Sequence, residues 1–242
     1  MRASTTEIWK IRHARARELA PASVRKSLNR PGIFIPLPAT LIGILILAAI
    51  TIGAGLFIWQ AIPHEPGDDS AEAGFLRDMV THHSQAVDMA MTIRDRTSDQ
   101  NLFLLSTDIA LTQSTDMGAM QGYLQIWDLP LTGEDKPMAW MGHPVDGLMP
   151  GMATPEQLAQ LTALPVDGAE ILFLQLMIRH HQGGVEMAEA LLPRSDQPEV
   201  TLIAERTINS QNADIGTMNG MLIDRGQEPI TDPLPVDHNA GH

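Results

Sequence analysis

The sequence predicts an all-α protein in which one transmembrane helix precedes a four-helix bundle built from two duplicated helix hairpins. Three observations predict this fold class. Two similar segments, Met79–Ala90 ("MVTHHSQAVDMA") and Met177–Ala188 ("MIRHHQGGVEMA"), occur 98 residues apart. Apolar residues in both copies recur at helical spacing. A further segment, Leu37–Trp59, is free of charged residues over 23 positions, about the length that a helix needs to cross a bilayer.

The duplication extends well beyond the two histidine pairs. With the same offset of 98 residues, Phe75 aligns with Phe173, and the frame continues without a gap until Met120 aligns with Met218. Further matched pairs are Gln113 with Gln211, Asp116 with Asp214 and Gly118 with Gly216. A match of this length indicates an internal repeat rather than a chance motif.

Each copy is predicted to form two helices joined by a short turn. In the first copy, Ser70 caps a helix that runs to about Arg96, and Ser98 or Asp99 caps a second helix that runs to about Trp127. Helices of this length bury their apolar stripes most simply by packing as a bundle.

The second copy repeats the pattern. Asp167 is predicted to cap a helix that ends before Pro193, and the last helix runs from Pro198 to Arg225, where Gly226 stops it. The predicted organisation is a basic cytoplasmic tail (1–36), a transmembrane anchor (37–59), a linker (60–69), the duplicated bundle (70–226) and a flexible tail (227–242).

The distribution of charge predicts the topology. Residues 1–30 carry a net charge of +6, so the rest of this −13 chain carries −19. The positive-inside rule then places the N-terminus in the cytoplasm and the bundle outside it. A cleaved signal peptide is the alternative, but its apolar region is usually shorter and is followed by a small-residue cleavage site. The bundle is extracytoplasmic on either interpretation.

The composition excludes several classes of function. The chain has no cysteine, so disulfides and thiolate metal sites are excluded. The acidic body has no basic stripe for nucleic acid, and we expect no nucleic-acid partner. No catalytic motif is present: three residues before His82 and His180 stand methionines, so the Glu-x-x-His motif of di-iron bundles is absent.

Histidine and methionine instead form a repeated pattern that predicts metal binding. On a helix Met79 shares a face with His82 and His83. Imidazole binds copper, zinc, iron and nickel, whereas a thioether favours cuprous ion, so the pattern favours copper. The candidate ligands are Met79, His82, His83 and Met89 in the first copy, Met177, His180, His181 and Met187 in the second, and Met141, His143, Met149 and Met152 in the connecting segment. Such donors would hold cuprous ion weakly enough for exchange with a protein partner.

A structural interpretation stands beside this one. Methionine at helical spacing commonly fills a core, and the histidine pairs could knit the bundle as a polar network without metal. Asp116, Asp214, Gln113 and Gln211 recur on the second helices and could fix the imidazole tautomers in either case. The sequence leaves the oligomeric state open.

Three segments of the chain resemble the family called domain of unknown function 305. They are "FLRDMVTHHSQAVDMA", "FLQLMIRHHQGGVEMAEALL" and "MPGM" followed by a Thr-Pro-Glu helix start. The resemblance covers about residues 70–226. It implies a ferritin-like four-helix bundle, usually secreted or membrane-anchored, that binds copper through Met and His ligands. Carried over by position, these are Met79, His82, His83 and Met89 in the first copy and Met177, His180, His181 and Met187 in the second. This chain has fewer methionine clusters than the most methionine-rich members, which argues against high-capacity storage.

Overall fold

The computed structural model describes residues 38–61 and 65–234, and over these it contains six α-helices and no strand. The helices are α1 (Ala39–Ala61), α2 (Ala71–Arg94), α3 (Gln100–Ile126), α4 (Pro155–Ala163), α5 (Val166–Leu191) and α6 (Pro198–Asp224). The chain divides into two units, Met1–Ile62 and Pro63–His242. Helix α1 belongs to the first unit and the other five helices to the second.

Helix α1 is uncharged, and apolar side chains such as Leu47 and Ile50 are more than half exposed. Judged on the residues that the structure describes, none of the helices combines the length and apolar character needed to cross a membrane. Part of the predicted anchor, namely Leu37 and the side chains of Ala39, Leu56, Ile58 and Trp59, lies outside those residues. The predicted basic tail (1–36) also lies outside them.

Side-chain caps begin three of the helices where the sequence predicts them. The Ser70 hydroxyl accepts from the backbone of α2 at 3.1 Å, and the Asp99 carboxylate accepts from two backbone N–H groups of α3. Thr154 and Gln157 form a capping box at the start of α4. Each cap satisfies backbone donors that no helical carbonyl can reach.

Helix α5 begins differently, and the prediction that Asp167 caps it was wrong. The N-cap is Pro165, which forms no side-chain cap hydrogen bond. Its extended backbone already turns the chain into the helix, and Asp167 lies inside the first turn, where a carboxylate still interacts favourably with the helix dipole. Gly226 follows α6 with a φ of 70°, as a C-terminal stop requires.

The bundle is two helix hairpins, α2–α3 and α5–α6, that meet through α2 and α5. Met79 near the start of α2 shares a core cluster with Met187 near the end of α5. Met89 near the end of α2 shares a second cluster with Met177 of α5. The two central helices are therefore antiparallel, and the two repeat copies are related by an approximate two-fold axis.

One end of the bundle is tied together by Arg225. Its guanidinium donates to Glu170 Oε2 of α5 at 2.9 Å and to Asp99 Oδ2, the cap of α3, at 2.6 Å. Thr97 Oγ1 donates to the same Glu170 at 2.6 Å. Because Thr97 and Asp99 belong to the first hairpin and Glu170 and Arg225 to the second, these contacts lock the two hairpins in register.

The segment after α6 returns to the bundle. Asn219 exchanges two hydrogen bonds with the backbone of Ile230, and Arg179 of α5 pairs with Asp232 at 2.8 Å. Of the predicted flexible tail, residues 227–234 are held in this way, and residues 235–242 lie outside the described part of the chain.

Candidate metal centre

Four histidines lie together at mid-height in the bundle, between the two apolar clusters. His82 and His83 of α2 and His180 and His181 of α5 are all 0% exposed. The rings of His82 and His180 stack across the α2–α5 contact, with their centroids 3.7 Å apart. We call these four side chains the histidine layer. The structure thus brings the two predicted histidine pairs together.

Two of the rings have an accepting partner at one nitrogen only. His82 Nε2 lies 3.0 Å from the carbonyl oxygen of Pro150, and His181 Nε2 lies 3.2 Å from the carboxylate of Asp214. Since a carbonyl or an ionised carboxylate can only accept, we assign the proton of each ring to Nε2. The Nδ1 atom of each ring then carries the free lone pair, and it has no hydrogen-bond partner.

The other two rings are not held by Pro150 or by Asp214. Both nitrogens of His83 are buried without a hydrogen-bond partner. The ring of His180 meets the backbone of His82, a contact that opposes part of the fall in its pKa. Asp116 is the repeat counterpart of Asp214, yet it forms no hydrogen bond with His83 and instead lies 4.0 Å from Arg206. The two copies of the repeat therefore differ in how they hold their imidazoles.

Burial keeps the imidazoles of His82, His83 and His180 neutral. Desolvation lowers the pKa of His82 to about 4, against which the hydrogen bond to Pro150 acts only in part. Desolvation also lowers the pKa of His83 and of His180 well below the ordinary value, and the neighbouring histidines lower it further. A neutral imidazole is the form that binds metal, so no proton has to be displaced near neutral pH.

The four predicted helix methionines border the histidine layer. Met79 and Met187 lie in one core cluster, Met89 and Met177 lie in the other, and none of the four is more than 1% exposed. We call them the flanking methionines. Their burial shows that they fill the core. Met79 and Met177 stand one helical turn before the histidine pairs and on the same helix face, and Met89 and Met187 stand about two turns after them.

A short stretch of the connecting segment, residues 149–153, crosses the bundle beside His82, and we call it the strap. Pro150 supplies the carbonyl that bonds His82, and the amide of Gln85 bonds both the N–H and the carbonyl of Ala153, at 2.7 and 2.9 Å. Met149 is 3% exposed and belongs to the same cluster as Met79.

The strap lies directly on the backbone of α5. A Cβ atom at Gly183 would lie 1.9 Å from the carbonyl oxygen of Pro150, and one at Gly151 would lie 2.1 Å from that of Arg179. Gly151 also has a φ of 74°, which favours glycine. Only glycine at these positions allows the two backbones to approach so closely.

Of the other predicted ligands of the connecting segment, Met152 belongs to the strap, whereas Met141 and His143 precede it. Met141, His143 and Met152 line a groove of about 690 Å³. Met141 and Met152 are half-buried and His143 is exposed. The structure therefore divides the four candidates of this segment: Met149 points into the core, and the other three line the groove.

The sequence did not reveal the residues that hold the strap. Gln85, Pro150 and Gly183 have no catalytic or metal-binding character that would single them out. A signal was nevertheless present, because the repeat diverges at this point: residues 84–86 (Ser-Gln-Ala) align with residues 182–184 (Gln-Gly-Gly), between the matching histidine pairs and the matching methionines.

Carboxylates do not complete the layer. Over the described ranges, 38–61 and 65–234, no three side chains of His, Asp or Glu are grouped so as to hold a metal ion. An ion in the layer would therefore need another donor type, and the thioethers of the flanking methionines are the ones nearby. This donor set fits a soft ion.

The lowered pKa values predict that the protein loses stability as the pH falls below 6.5. The unfolded chain then protonates its histidines while His82, His83 and His180 stay neutral in the folded protein, so each of these three lowers the free energy of unfolding by up to about 1.4 kcal/mol per pH unit. The loss continues down to the folded pKa, which is about 4 for His82. Urea unfolding between about pH 7.5 and about pH 5 measures it, above the ordinary pKa of exposed carboxylates.

Two variants serve as controls for this measurement. His83→Asn should reduce the pH slope, whereas replacing the exposed His143 by alanine should leave it unchanged. An equal slope in both variants would contradict the assignment of the slope to the layer.

Known structures share this fold. A protein of the domain of unknown function 305 family from Streptomyces coelicolor is 42% identical, with a TM-score of 0.65 over 69% of this chain and 100% of that chain. A fragment of the same family from Deinococcus radiodurans is 35% identical, with a TM-score of 0.55 over 64% of this chain and 96% of that chain. No curated protein matches the chain.

CopM, solved in a Cu(I)-bound form, is 24% identical, with a TM-score of 0.51 over 64% of this chain and 96% of that chain. It has also been solved in silver-bound and Cu(II)-bound forms. At this identity the likeness concerns the fold. The family model for DUF305, a domain of unknown function, matches residues 72–222, which span all four bundle helices. The chain belongs to the DUF305 family.

Proposed function

We propose that this protein binds cuprous ion through the histidine layer and the flanking methionines. The observation that carries the proposal is the orientation of His82 and His181. Each donates its Nε2 proton to a fixed acceptor, Pro150 or Asp214, and each keeps an unpartnered Nδ1 in the buried interior. Histidine ligands of metals are commonly held in this way, by a carbonyl or a carboxylate at the second ring nitrogen.

The donor chemistry favours copper over other ions. Zinc and iron sites usually include carboxylates or thiolates, but this chain has no cysteine and the layer has no grouped carboxylate. Thioethers favour cuprous ion, and silver shares this softness. CopM, which shares the fold, has been solved with copper and with silver. That likeness agrees with the proposal, but the donors of this chain provide the main argument.

The four histidines of the layer have different roles in binding the ion. His82 and His181 are oriented before the ion arrives, so they lose little freedom when they bind it. His83 and His180 are free to present either nitrogen. Neutral imidazoles and thioethers add no negative charge, so we expect modest affinity and exchange with a copper-carrying protein partner.

The second candidate function is a polar core without metal. The stacking of His82 on His180 and the two hydrogen bonds of the layer favour it. A satisfied network would pair its remaining nitrogens, yet both nitrogens of His83 have no partner. That deficit is why we prefer metal binding.

We further propose that residues 37–59 anchor the protein in a membrane, with the N-terminus in the cytoplasm and the bundle outside. The uncharged segment, its basic flank of +6 and the acidic remainder support this topology. The exposed apolar side chains of α1 would be covered by lipid.

Copper titration of the full-length protein in detergent tests the metal site. We expect competition with a chromophoric chelator for cuprous ion under reducing, anaerobic conditions, and none for zinc. Replacing the four histidines of the layer by alanine should abolish the competition for cuprous ion. Replacing the four flanking methionines by leucine keeps the core filled and should weaken the affinity by at least about tenfold.

The loop variant Met141→Leu/His143→Ala/Met152→Leu is the matched control, since it removes soft donors outside the layer and should leave the stoichiometry of the layer unchanged. If competition for cuprous ion is unchanged in both the folded leucine variant and the histidine variant, the proposal is wrong and the polar core is favoured.

The two copies of the repeat supply a test of orientation. Asp214→Ala removes the acceptor of His181 and should weaken cuprous affinity by about 10–100-fold. Asp214→Asn keeps an accepting oxygen and should restore most of it. Asp116→Ala, at the equivalent position without a histidine contact, should have little effect. Equal losses in Asp214→Ala and Asp116→Ala, or no rescue by Asn, would mean that Asp214 does not orient a ligand.

Single cysteines report the topology, because the natural chain has none. A membrane-impermeant maleimide should label Asp135→Cys in intact cells and Ser4→Cys only after lysis, with both proteins in the membrane fraction. The opposite labelling would reverse the topology, and a soluble labelled bundle would indicate cleavage.

A further inference from the structure

The histidine layer is closed in this structure. All four rings are 0% exposed, and the flanking methionines are at most 1% exposed. An ion can therefore reach these donors only if some element around the layer moves. The proposed function thus raises the question of which element opens.

The strap is held by a small number of polar and apolar contacts, and the apolar ones include Met152, which packs against the same cluster as Met149. Its backbone is fixed by the hydrogen bond from His82 to Pro150 and by the two hydrogen bonds between Gln85 and Ala153. The buried side chains of Met149 and Ala153 add apolar contact. The helices, in contrast, are held around the layer by two extended apolar clusters. Lifting the strap breaks far fewer contacts than separating α2 from α5.

Soft donors lie on both faces of the strap. Outside, Met141, His143 and Met152 line the groove of about 690 Å³, which also includes Pro150 and Gly151 of the strap. Inside, Met149 lies in the cluster that contains Met79 and Met187. The strap is therefore the wall between an accessible set of thioether and imidazole donors and the buried set.

We propose that the groove is the entrance for cuprous ion and that the strap is the gate between the groove and the histidine layer. This inference rests on the proposed function. Opening moves the carbonyl of Pro150 away from His82 Nε2 and turns Met149 from the core towards the groove. One movement thus opens the route and brings a thioether to meet the ion.

Two variants loosen the gate by different means. Gly183→Ala places a Cβ atom where it collides with the Pro150 carbonyl and lifts the strap. Gln85→Ala adds no atoms and removes both hydrogen bonds to Ala153. Gly184→Ala is the matched control, because a Cβ one residue further meets the side chain of Gln211 and not the strap.

Histidine modification of the metal-free, full-length protein measures opening. Diethyl pyrocarbonate should modify the exposed His143 quickly and the histidine layer slowly, as followed by peptide mass spectrometry. In Gly183→Ala and Gln85→Ala the layer should react about tenfold faster, as the loss of the strap contacts implies. In Gly184→Ala the histidine layer should react at the same rate as in the protein without substitutions.

Stopped-flow transfer of cuprous ion from a chromophoric complex measures entry. The two loosened variants should take up copper about tenfold faster than Gly184→Ala with unchanged stoichiometry. The groove variant Met141→Leu/His143→Ala/Met152→Leu should take it up more slowly.

The two readouts separate the two proposals. Faster modification with no change in the rate of copper uptake would overturn the gate as a route for the ion. Equal modification rates in the loosened variants and Gly184→Ala would overturn the gate whether or not copper binds. Absence of copper binding in the unmodified sequence, with faster modification in the loosened variants, would overturn the proposed function and, with it, the groove as a copper entrance.

Discussion

Four imidazole rings lie in a buried interior that leaves one of them without any hydrogen-bond partner. Each buried polar group left without a partner destabilises the fold by about 1–3 kcal/mol. His83 has no partner at either nitrogen. The apolar clusters on both sides must offset this cost, and they do so with methionine as well as leucine and phenylalanine. A ligand that binds these nitrogens would recover the lost stability, so the same constraint that weakens the empty layer favours its occupation.

The duplication places equivalent residues in both halves of the layer, but the two halves differ in their hydrogen bonds. The repeat places a histidine pair on each central helix and an aspartate on each outer helix, yet only Asp214 bonds to a histidine. In the first copy Gln85 holds the strap, and in the second Gly183 makes room for it. The copies have diverged most clearly where a segment that exists only once must contact both of them.

Much of this structure could be predicted from the sequence. The caps at Ser70 and Asp99 and the helix hairpins follow from local chemistry and from helical spacing. The meeting of the two histidine pairs follows from packing the two copies around a common core. The start of α5 was predicted wrongly, because a proline turn replaces the side-chain cap expected from Asp167.

The strap could not be predicted, since its position depends on contacts with no sequence period. A carbonyl of Pro150 and a missing side chain at Gly183 determine where it lies, and neither carries a chemical signature in the sequence. For the same reason the sequence could not separate Met149, which is buried, from Met152, which borders the groove.

The strap exists once, although the histidine layer has two related faces. If two identical hairpins associated as separate chains, the same chain segment would cover each face of the layer. Fusion into one chain leaves a single connecting segment, and its Pro150 carbonyl bonds to His82 and not to His180 at the equivalent position. The two faces of the histidine layer are therefore different in this single-chain bundle, whereas they would be the same in a symmetric pair of hairpins.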